Sequence, residues 1–175
     1  MPATSAPISP FSTCADLDAA VGAEPALGCR LVATPAERAL HLRIRAEVFV
    51  GEQGLFSVTD RDAHDDDPDT LHVLGLCGPV AAGAVRLYPL DEPGLWKGDR
   101  LAVLPGLRKH GLGAPLVRFA VRTAGERGGR EMLAQVQLAN VGFFERLGWG
   151  RLGEPGDYCG RPHQRMRIGL RPPRT

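Results

Sequence analysis

The segment RLAVLPGLRKHGLGAPLVRFAV, residues 100–121, constrains the fold more than any other part of the sequence. Its apolar run, residues 101–104, meets a Pro-Gly break, and a basic turn with two glycines leads into a helical pattern. One face of that helix carries Leu112, Leu116, Ala120 and Ala124. Pro115 is tolerated only in the first turn of a helix, so we predict that the helix begins near residues 112–114. The segment therefore predicts a strand, a glycine turn and an amphipathic helix in direct succession.

The glycine turn has the composition of an anion-binding site. A helix N-terminus presents unpaired N–H groups and a partial positive charge, and glycine lets the backbone approach an anion closely. We predict that a phosphate or pyrophosphate binds the turn, through the N–H groups of Gly111 and Gly113 and the charges of Arg108 and Lys109. The alternative for Lys109 and His110 is simple solvent exposure. The P-loop and dinucleotide-binding patterns are both absent.

Length and composition restrict the class of protein. With 175 residues and a net charge of +1, the chain is long enough for one domain and lacks the basic character of a nucleic-acid-binding protein. No apolar run is long enough to span a membrane, and no export signal is recognisable, so we expect a cytoplasmic protein. The four cysteines match no zinc spacing, so we predict reduced thiols and no metal site. They are Cys14, Cys29, Cys77 and Cys159.

The order of the predicted elements indicates an α+β fold in layers. We expect a mixed, mostly antiparallel sheet of six to seven strands with about four helices. Residues 1–27 are predicted to be a poorly ordered arm with one short helix at Cys14–Val21, and residues 28–175 a single domain. The acidic stretch Asp60–Asp69 is predicted to be mostly a solvated loop. Strand MLAQVQL, residues 132–138, should place Leu138 on its apolar face, and Asn140 should cap a short helix.

Two segments resemble the sequence motifs of the GNAT acyltransferase superfamily. LAVLPGLRKHGLGAPLVRFAV, residues 101–121, is similar to motif A, and QLANVGFFERLGW, residues 137–149, is similar to motif B. The resemblance covers about residues 28–170. It is closest to the ElaA-like branch and to the bacterial group called nitrogen-starvation N-acetyltransferases.

The resemblance implies the GNAT fold and binding of acetyl-CoA as cosubstrate. The pyrophosphate would lie at the turn from Arg108 to Ala114, which includes Leu112, and the pantetheine arm along the backbone of the preceding strand. That strand contributes Leu101, Ala102 and Val103. Motif B would contribute Asn140, Phe143 and Phe144, the two aromatic residues as walls of the cleft. An N–H group near the end of the strand would polarise the thioester carbonyl.

Acetyl transfer to an amine needs a base for the nucleophile and, in many relatives, an acid for the departing thiolate. The acid is often a tyrosine four residues before the glycine of motif B, but here that position is Phe144. Tyr158 is the replacement candidate; a packing role is its alternative. The candidate bases are Glu52, His64 and His163, each of which could instead have a structural role. His41 and His72 are expected to be structural.

These observations predict an N-acetyltransferase that acts on a small-molecule amine by direct attack in a ternary complex. Two other functions stay open: a non-catalytic acyl-CoA-binding or sensor domain, which Phe144 favours, and an acyltransferase like the acyl-homoserine-lactone synthases. Partners other than the substrates are not predicted, apart from a possible homodimer. The identity of the amine is left open.

Overall fold

The computed structural model describes residues 14–171, which form a single sheet with helices on both faces. The helices are α1 (Cys14–Val21), α2 (Pro35–Ala46), α3 (Gly113–Glu126) and α4 (Val141–Arg146). A π-helical segment, Glu47–Glu52, continues α2, and short 3-10 helices cover Ala63–Asp66, Pro105–His110 and Leu138–Asn140. The strands are β1 (Leu27–Leu31), β2 (Leu71–Cys77), β3 (Val80–Pro89), β4 (Leu95–Val103), β5 (Glu131–Gln137), β6 (Gly150–Arg151), β7 (Gly156–Tyr158) and β8 (Arg161–Gly169).

The sheet is mixed and mostly antiparallel, which confirms the predicted fold class. Its strands follow the order β1-β2-β3-β4-β5-β8-β6, with β7 also paired to β8, and only β4 and β5 run parallel. Among the described residues the sheet has eight strands, more than the six to seven predicted, because the short β7 pairs with β8 without any alternating pattern of its own. The division between an N-terminal arm and the domain at residue 27 stays a prediction; residues 1–13 lie outside the described part.

Helix α3 lies close to the sheet because two glycines face it. Gly75 and Gly83 pair across β2 and β3, and Leu112 and Leu116 pack on them with both leucine side chains fully buried. A Cβ atom at Gly83 would lie 2.7 Å from Leu116 Cδ1 and 3.2 Å from the carbonyl oxygen of Ala102. The two glycines therefore set the depth at which α3 packs, and with it the position of the turn that precedes α3.

Helix α2 lies on the opposite face and begins where the sequence predicts. Thr34 accepts a hydrogen bond from the backbone N–H of Glu37 at 3.1 Å, and Pro35 is the first helical residue. The Glu37 carboxylate accepts from the N–H of Ala33 at 2.8 Å, one residue before the position of a standard capping box. Ile44 and Val48 continue the apolar face of α2 into a second core cluster.

Three local expectations are wrong. Strand β5 ends at Gln137, so Leu138 leaves the alternation and lies in a 3-10 helix with 44% of its surface exposed. Asn140 occupies the N-cap position of α4, but its side chain makes no capping hydrogen bond. The strand predicted from the apolar run at residues 101–104 is longer than expected. Strand β4 begins at Leu95, because its first residues pair with both β3 and β5.

Four of the six aspartates in the acidic loop are exposed, as predicted, but the other two are buried. Asp60 and Asp65 are only 1% exposed, and they pair with Arg45, which is completely buried on α2. Arg45 donates to Asp60 at 2.7 Å and to both carboxylate oxygens of Asp65 at 2.6 and 3.0 Å. Burial alone would raise the pKa of Asp65, but the Arg45 guanidinium holds that pKa well below its usual range.

A second buried arginine extends this network to the centre of the sheet. Arg86 on β3 donates to both oxygens of Asp62 at 2.6 and 2.9 Å, and to both oxygens of Asp99 at 2.8 and 2.7 Å. Arg100 on β4 donates to the backbone oxygen of Asp60 at 3.1 Å and to Asp62 at 3.2 Å. The loop is therefore fixed by charge pairs to α2, β3 and β4, because buried charges are stable only when they are paired.

Candidate active site

A cleft of about 110 Å³ opens where β4 and β5 separate. These two parallel strands pair only through Leu95–Lys97 and Glu131–Leu133, and beyond that point they diverge. The cleft is lined on one face of the sheet by α3, through Val117 and Ala120, and on the other by Phe49, Leu55 and Phe56. Its polar lining includes Lys97, Asp99, Arg100, Gln135, Gln137 and Asn140.

Strand β4 is distorted where it lines the cleft. The pairing of β3 with β4 shifts register between Ala84 and Arg86, opposite Ala102 and Asp99, which marks a β-bulge. Arg100, inside the bulge, has a left-handed backbone with φ of 53°. A non-glycine residue in that region stores strain, and such strain is concentrated at functional sites. The bulge interrupts the β3–β4 ladder at residues that line the cleft, Arg100 and Leu101.

The glycine turn lies at the end of β4, as predicted, and α3 begins at Gly113. Gly111 has a left-handed φ of 77°, and its N–H donates to the carbonyl oxygen of Arg108 at 3.0 Å. That N–H is therefore engaged within the turn, and the main contribution of Gly111 is conformational. In the described part of the chain no backbone carbonyl accepts from the N–H groups of Leu112, Gly113 or Ala114. These three groups are the unpaired N–H groups at the N-terminus of α3, where the sequence predicts that an anion binds.

The side chain of Arg108, at the turn, forms an ion pair with Glu52. Its Nη1 and Nη2 donate to the two carboxylate oxygens of Glu52 at 2.7 and 2.5 Å, and its Nε donates to the carbonyl oxygen of Val103 at 3.0 Å. Both side chains are more than a third exposed, so the pair contributes little to stability. Glu52, predicted as a base, is thus held beside the predicted pyrophosphate site.

The residue next to Glu52, Gln53, binds the β5 side of the opening. Gln53 accepts a hydrogen bond from Gln137 on β5 at 2.9 Å, and its backbone oxygen accepts from Arg161 on β8. Together with the Glu52–Arg108 pair, these contacts join the end of the π-helical segment to both sides of the opening. π-helical turns are rare in proteins, and those that do occur are often found at functional sites.

His163 and Tyr158, predicted as base and acid, come together in the cleft. Their rings meet edge to face with centroids 5.2 Å apart, and His163 is 4% exposed. His163 Nδ1 donates to the carbonyl oxygen of Arg161 at 2.9 Å, which leaves the lone pair on Nε2. Burial would lower the pKa of Arg100, but the Asp99 carboxylate and the Tyr158 hydroxyl raise it above its usual value. The Tyr158 hydroxyl therefore lies beside a guanidinium.

Of the two phenylalanines of motif B that were predicted as walls, Phe144 lines the cleft and Phe143 does not. Phe144 lies in the cleft, with its ring edge to face against Trp149 at 5.4 Å, and Phe143 packs near Gly113 at the start of α3. Asn140 lines the same cleft. The indole N–H of Trp149 is buried with no hydrogen-bond partner among the described residues.

The remaining predicted residues do not line the cleft. Lys109 and His110 line a separate shallow depression with Gly22 and Ala23, at the end of α1. His64 stacks on Tyr88 with ring centroids 4.0 Å apart and does not line the cleft.

His41 and His72 form a buried edge-to-face pair, 4.9 Å between centroids, away from the cleft. Burial lowers the pKa of His41 to about 3 and that of His72 to about 4, so both rings are neutral.

The sequence did not single out Lys97, Asp99 and Arg100, although all three line the cleft. The available signal was their position immediately before the apolar strand of motif A. Next to Tyr158, Cys159 is an exposed free cysteine, whereas Cys77 is buried and Cys29 half-buried. In residues 14–171 no group of three or more histidine, cysteine, aspartate or glutamate side chains is arranged to hold a metal ion. None of the helices described is both long and apolar enough for a membrane span.

Comparison with known proteins gives one family over most of the chain. The sequence profile described as "Acetyltransferase (GNAT) family" matches residues 36–149. A Bacillus subtilis (strain 168) protein that carries an acetyltransferase name is 32% identical over 133 residues, which span 74% of this chain and 89% of that protein.

Solved structures agree in fold. Escherichia coli ElaA superposes with a TM-score of 0.72 at 21% identity, over 81% of this chain and 99% of that chain. A CoA-dependent acyl-homoserine lactone synthase, BjaI, solved with SAM and isopentyl-CoA, gives a TM-score of 0.63 at 22% identity, over 75% of this chain and 74% of that chain. At these identities both likenesses concern the fold alone.

Proposed function

Because the chain belongs to the GNAT acetyltransferase family, and is therefore an acyltransferase, we propose that it moves the acetyl group of acetyl-CoA to the amine of a small molecule. The attack would be direct, in a ternary complex. The observation that most supports this is the continuity of the site: the open N-terminus of α3 adjoins β4, whose bulged end lines a cleft that contains a histidine and a tyrosine.

In this proposal the chain holds acetyl-CoA along motif A. The N–H groups of Leu112, Gly113 and Ala114 bind the diphosphate, and Arg108 and Lys109 add positive charge. The pantetheine arm follows the backbone of residues 101–103, with Asn140 as a side-chain partner. Phe144 forms a wall of the cleft, and Phe143 lies beside the start of α3. An N–H at the bulge of β4 polarises the thioester carbonyl.

His163 is the base that we favour, and Tyr158 the acid. His163 takes the proton of the amine on Nε2, because its Nδ1 is engaged with Arg161. Tyr158, beside the guanidinium of Arg100, gives its proton to the departing thiolate. Glu52 stays a candidate base, but its pairing with Arg108 favours a role in holding that arginine.

Release of free CoA thiol from acetyl-CoA, with and without a panel of small amines, tests the proposal. We expect release that depends on the amine, and a loss of at least about a hundredfold in kcat for His163→Asn, which keeps a donor at the Nδ1 position and removes the base. Full kcat in this variant would exclude His163 as the base. CoA binding without turnover on any amine would contradict the proposed activity.

That last outcome would favour a second candidate function, a non-catalytic acyl-CoA sensor. The observation behind it is Phe144, which has no proton to donate where many relatives have a tyrosine. The alternative of an acyl-homoserine-lactone synthase would be supported by an acyl-homoserine product in the same assay.

Three further expectations accompany the proposal without being needed by it. They are a cytoplasmic location, the nitrogen-starvation grouping and a homodimer.

A further inference from the structure

Lys97 is a cation in the cleft that no carboxylate neutralises. It lies on β4 at the last residue pair before β4 and β5 separate, and it lines the cleft. In the part of the chain that the structure describes, no aspartate or glutamate lies within ion-pair distance of its ammonium. The ammonium instead faces a neutral aromatic ring, because Nζ lies 6.0 Å from the centroid of Tyr158.

The other charges that line the cleft are already matched. Both carboxylate oxygens of Asp99 accept hydrogen bonds from Arg86, and the guanidinium of Arg100 pairs with Asp60 and Asp62. Lys97 is therefore the one charged side chain in the lining of the cleft without an oppositely charged partner among residues 14–171. An anionic ligand stabilises a half-buried ammonium more than an ammonium in water, because burial has removed part of its hydration.

The unmatched charge is at a suitable distance from the proposed base. Lys97 Nζ is 6.0 Å from the Tyr158 ring, and that ring is 5.2 Å from the ring of His163, so the ammonium lies within about 11 Å of the imidazole. The amine and the carboxylate of one α-amino acid, each at hydrogen-bond distance from His163 or Lys97, reach across about 9 Å, which lies inside that limit. Phe49, Leu55 and Phe56 form an apolar wall beside this path.

We propose that the acceptor is an amino acid with an apolar side chain, whose carboxylate binds Lys97 while its amine attacks the thioester. This inference rests on the proposed function. The amine nitrogen forms a bond to the acetyl carbon, and the C–S bond of acetyl-CoA breaks. One amine proton goes to His163, and the thiolate takes a proton from Tyr158. The products are an N-acetyl amino acid and free CoA.

Matched pairs of acceptors test this assignment. The pairs are L-leucine with 3-methylbutylamine and L-phenylalanine with 2-phenylethylamine, which differ only in the carboxylate. For each pair the acid-to-amine ratio of kcat/KM is measured in the wild type, in Lys97→Gln and in Lys97→Arg. Comparison of ratios between enzymes cancels the different basicity of the two amines.

We expect Lys97→Gln to lower the acid-to-amine ratio at least about tenfold, the size of a lost charge-assisted hydrogen bond, and Lys97→Arg to keep most of it. An equal fall for both members of each pair would mean that Lys97 acts through Tyr158, and would overturn the assignment. Turnover of amines but not of amino acids would overturn it as well. Both results leave the proposed acetyltransferase activity intact, whereas failure of all acceptors despite CoA binding contradicts that activity itself.

Discussion

Gly111 combines a left-handed backbone with open space around it. Its φ is 77°, and a Cβ atom built there would meet no heavy atom within 4 Å. A side chain at this position is therefore opposed by backbone strain and not by a clash. Asparagine and aspartate tolerate this conformation best among the other residues, and they differ mainly in charge.

We therefore predict that Gly111→Asp weakens CoA binding much more than Gly111→Asn. A carboxylate about 5 Å from the diphosphate should raise the Kd by about tenfold or more, and the difference should shrink as salt is added. Isothermal titration of each variant with CoA at two salt concentrations measures both effects. Equal Kd values for the two variants would place the diphosphate elsewhere.

A functional residue could be identified from the sequence where the backbone requires one residue type. It could not be identified where the fold brings together residues that are distant in sequence. Gly111 could be found from the sequence because few other residues adopt its conformation. Lys97 could not, because its importance depends on the separation of β4 from β5 and on Tyr158, 61 positions later, coming to face it. The same holds for Glu52, whose partner Arg108 is far away in the sequence.

Helix α3 and the two glycines beneath it act as one element. The side chains of Leu112 and Leu116 fill the space that a Cβ atom on Gly75 or Gly83 would need. Since the N-terminus of α3 is the proposed diphosphate site, packing under the helix also positions the site.

A larger residue at Gly83 should affect both stability and substrate binding. We predict that Gly83→Ala lowers the free energy of unfolding by about 1–3 kcal/mol, the usual cost of overpacking, and raises the KM for acetyl-CoA. Urea unfolding and initial rates measure the two effects. Gly28→Ala is the control, because Gly28 is also in a strand but has open space at its Cβ position. A Gly83→Ala protein that matches this control would show that α3 can shift without consequence.

At the scale of elements, periodic segments were predicted well and aperiodic ones were not. The patterns of α2, α3 and β5 predict their positions to within a few residues. The π-helical segment Glu47–Glu52 has no sequence pattern of its own, and β7 is too short to alternate. Both contribute to the cleft, through Phe49 and through Tyr158.

The folded molecule buries charged side chains and imidazoles that the sequence alone would place at the surface. Arg45, Arg86 and His41 are completely buried. The four aspartates that pair with the buried arginines are spread over residues 60–99, so their partners become evident only in the folded sheet.

We predict that stability falls as the pH decreases from about 6.5 to 4. The folded-state pKa values of His41 and His72 lie at about 3 and 4, below the ordinary 6.5, so in this range the unfolded chain binds protons that the folded chain does not. For His41 the loss between pH 6.5 and 5 is about 2 kcal/mol. Urea unfolding at several pH values measures it.

His41→Gln is the matched variant, because its amide can keep the hydrogen bond that His41 Nε2 donates to the Val85 carbonyl oxygen. The slope of its unfolding free energy against pH should be smaller, by the amount that corresponds to about one bound proton. An unchanged slope would mean that His41 titrates normally in the folded protein. Below pH 4 the carboxylate of Asp65, whose folded pKa is depressed, should add a further loss as it is protonated.

The exposure of Cys159 has a practical consequence for kinetic work. Burial raises the pKa of Cys29 to about 11 and also raises that of Cys77, so neither thiol is readily alkylated at neutral pH. Cys159 is exposed and adjacent to Tyr158 in sequence. In a protein whose Cys14 is replaced by serine, a fluorophore attached through a maleimide at Cys159 would lie one residue from Tyr158, which lines the cleft, and its emission would follow the arrival and departure of each reactant in a stopped-flow instrument.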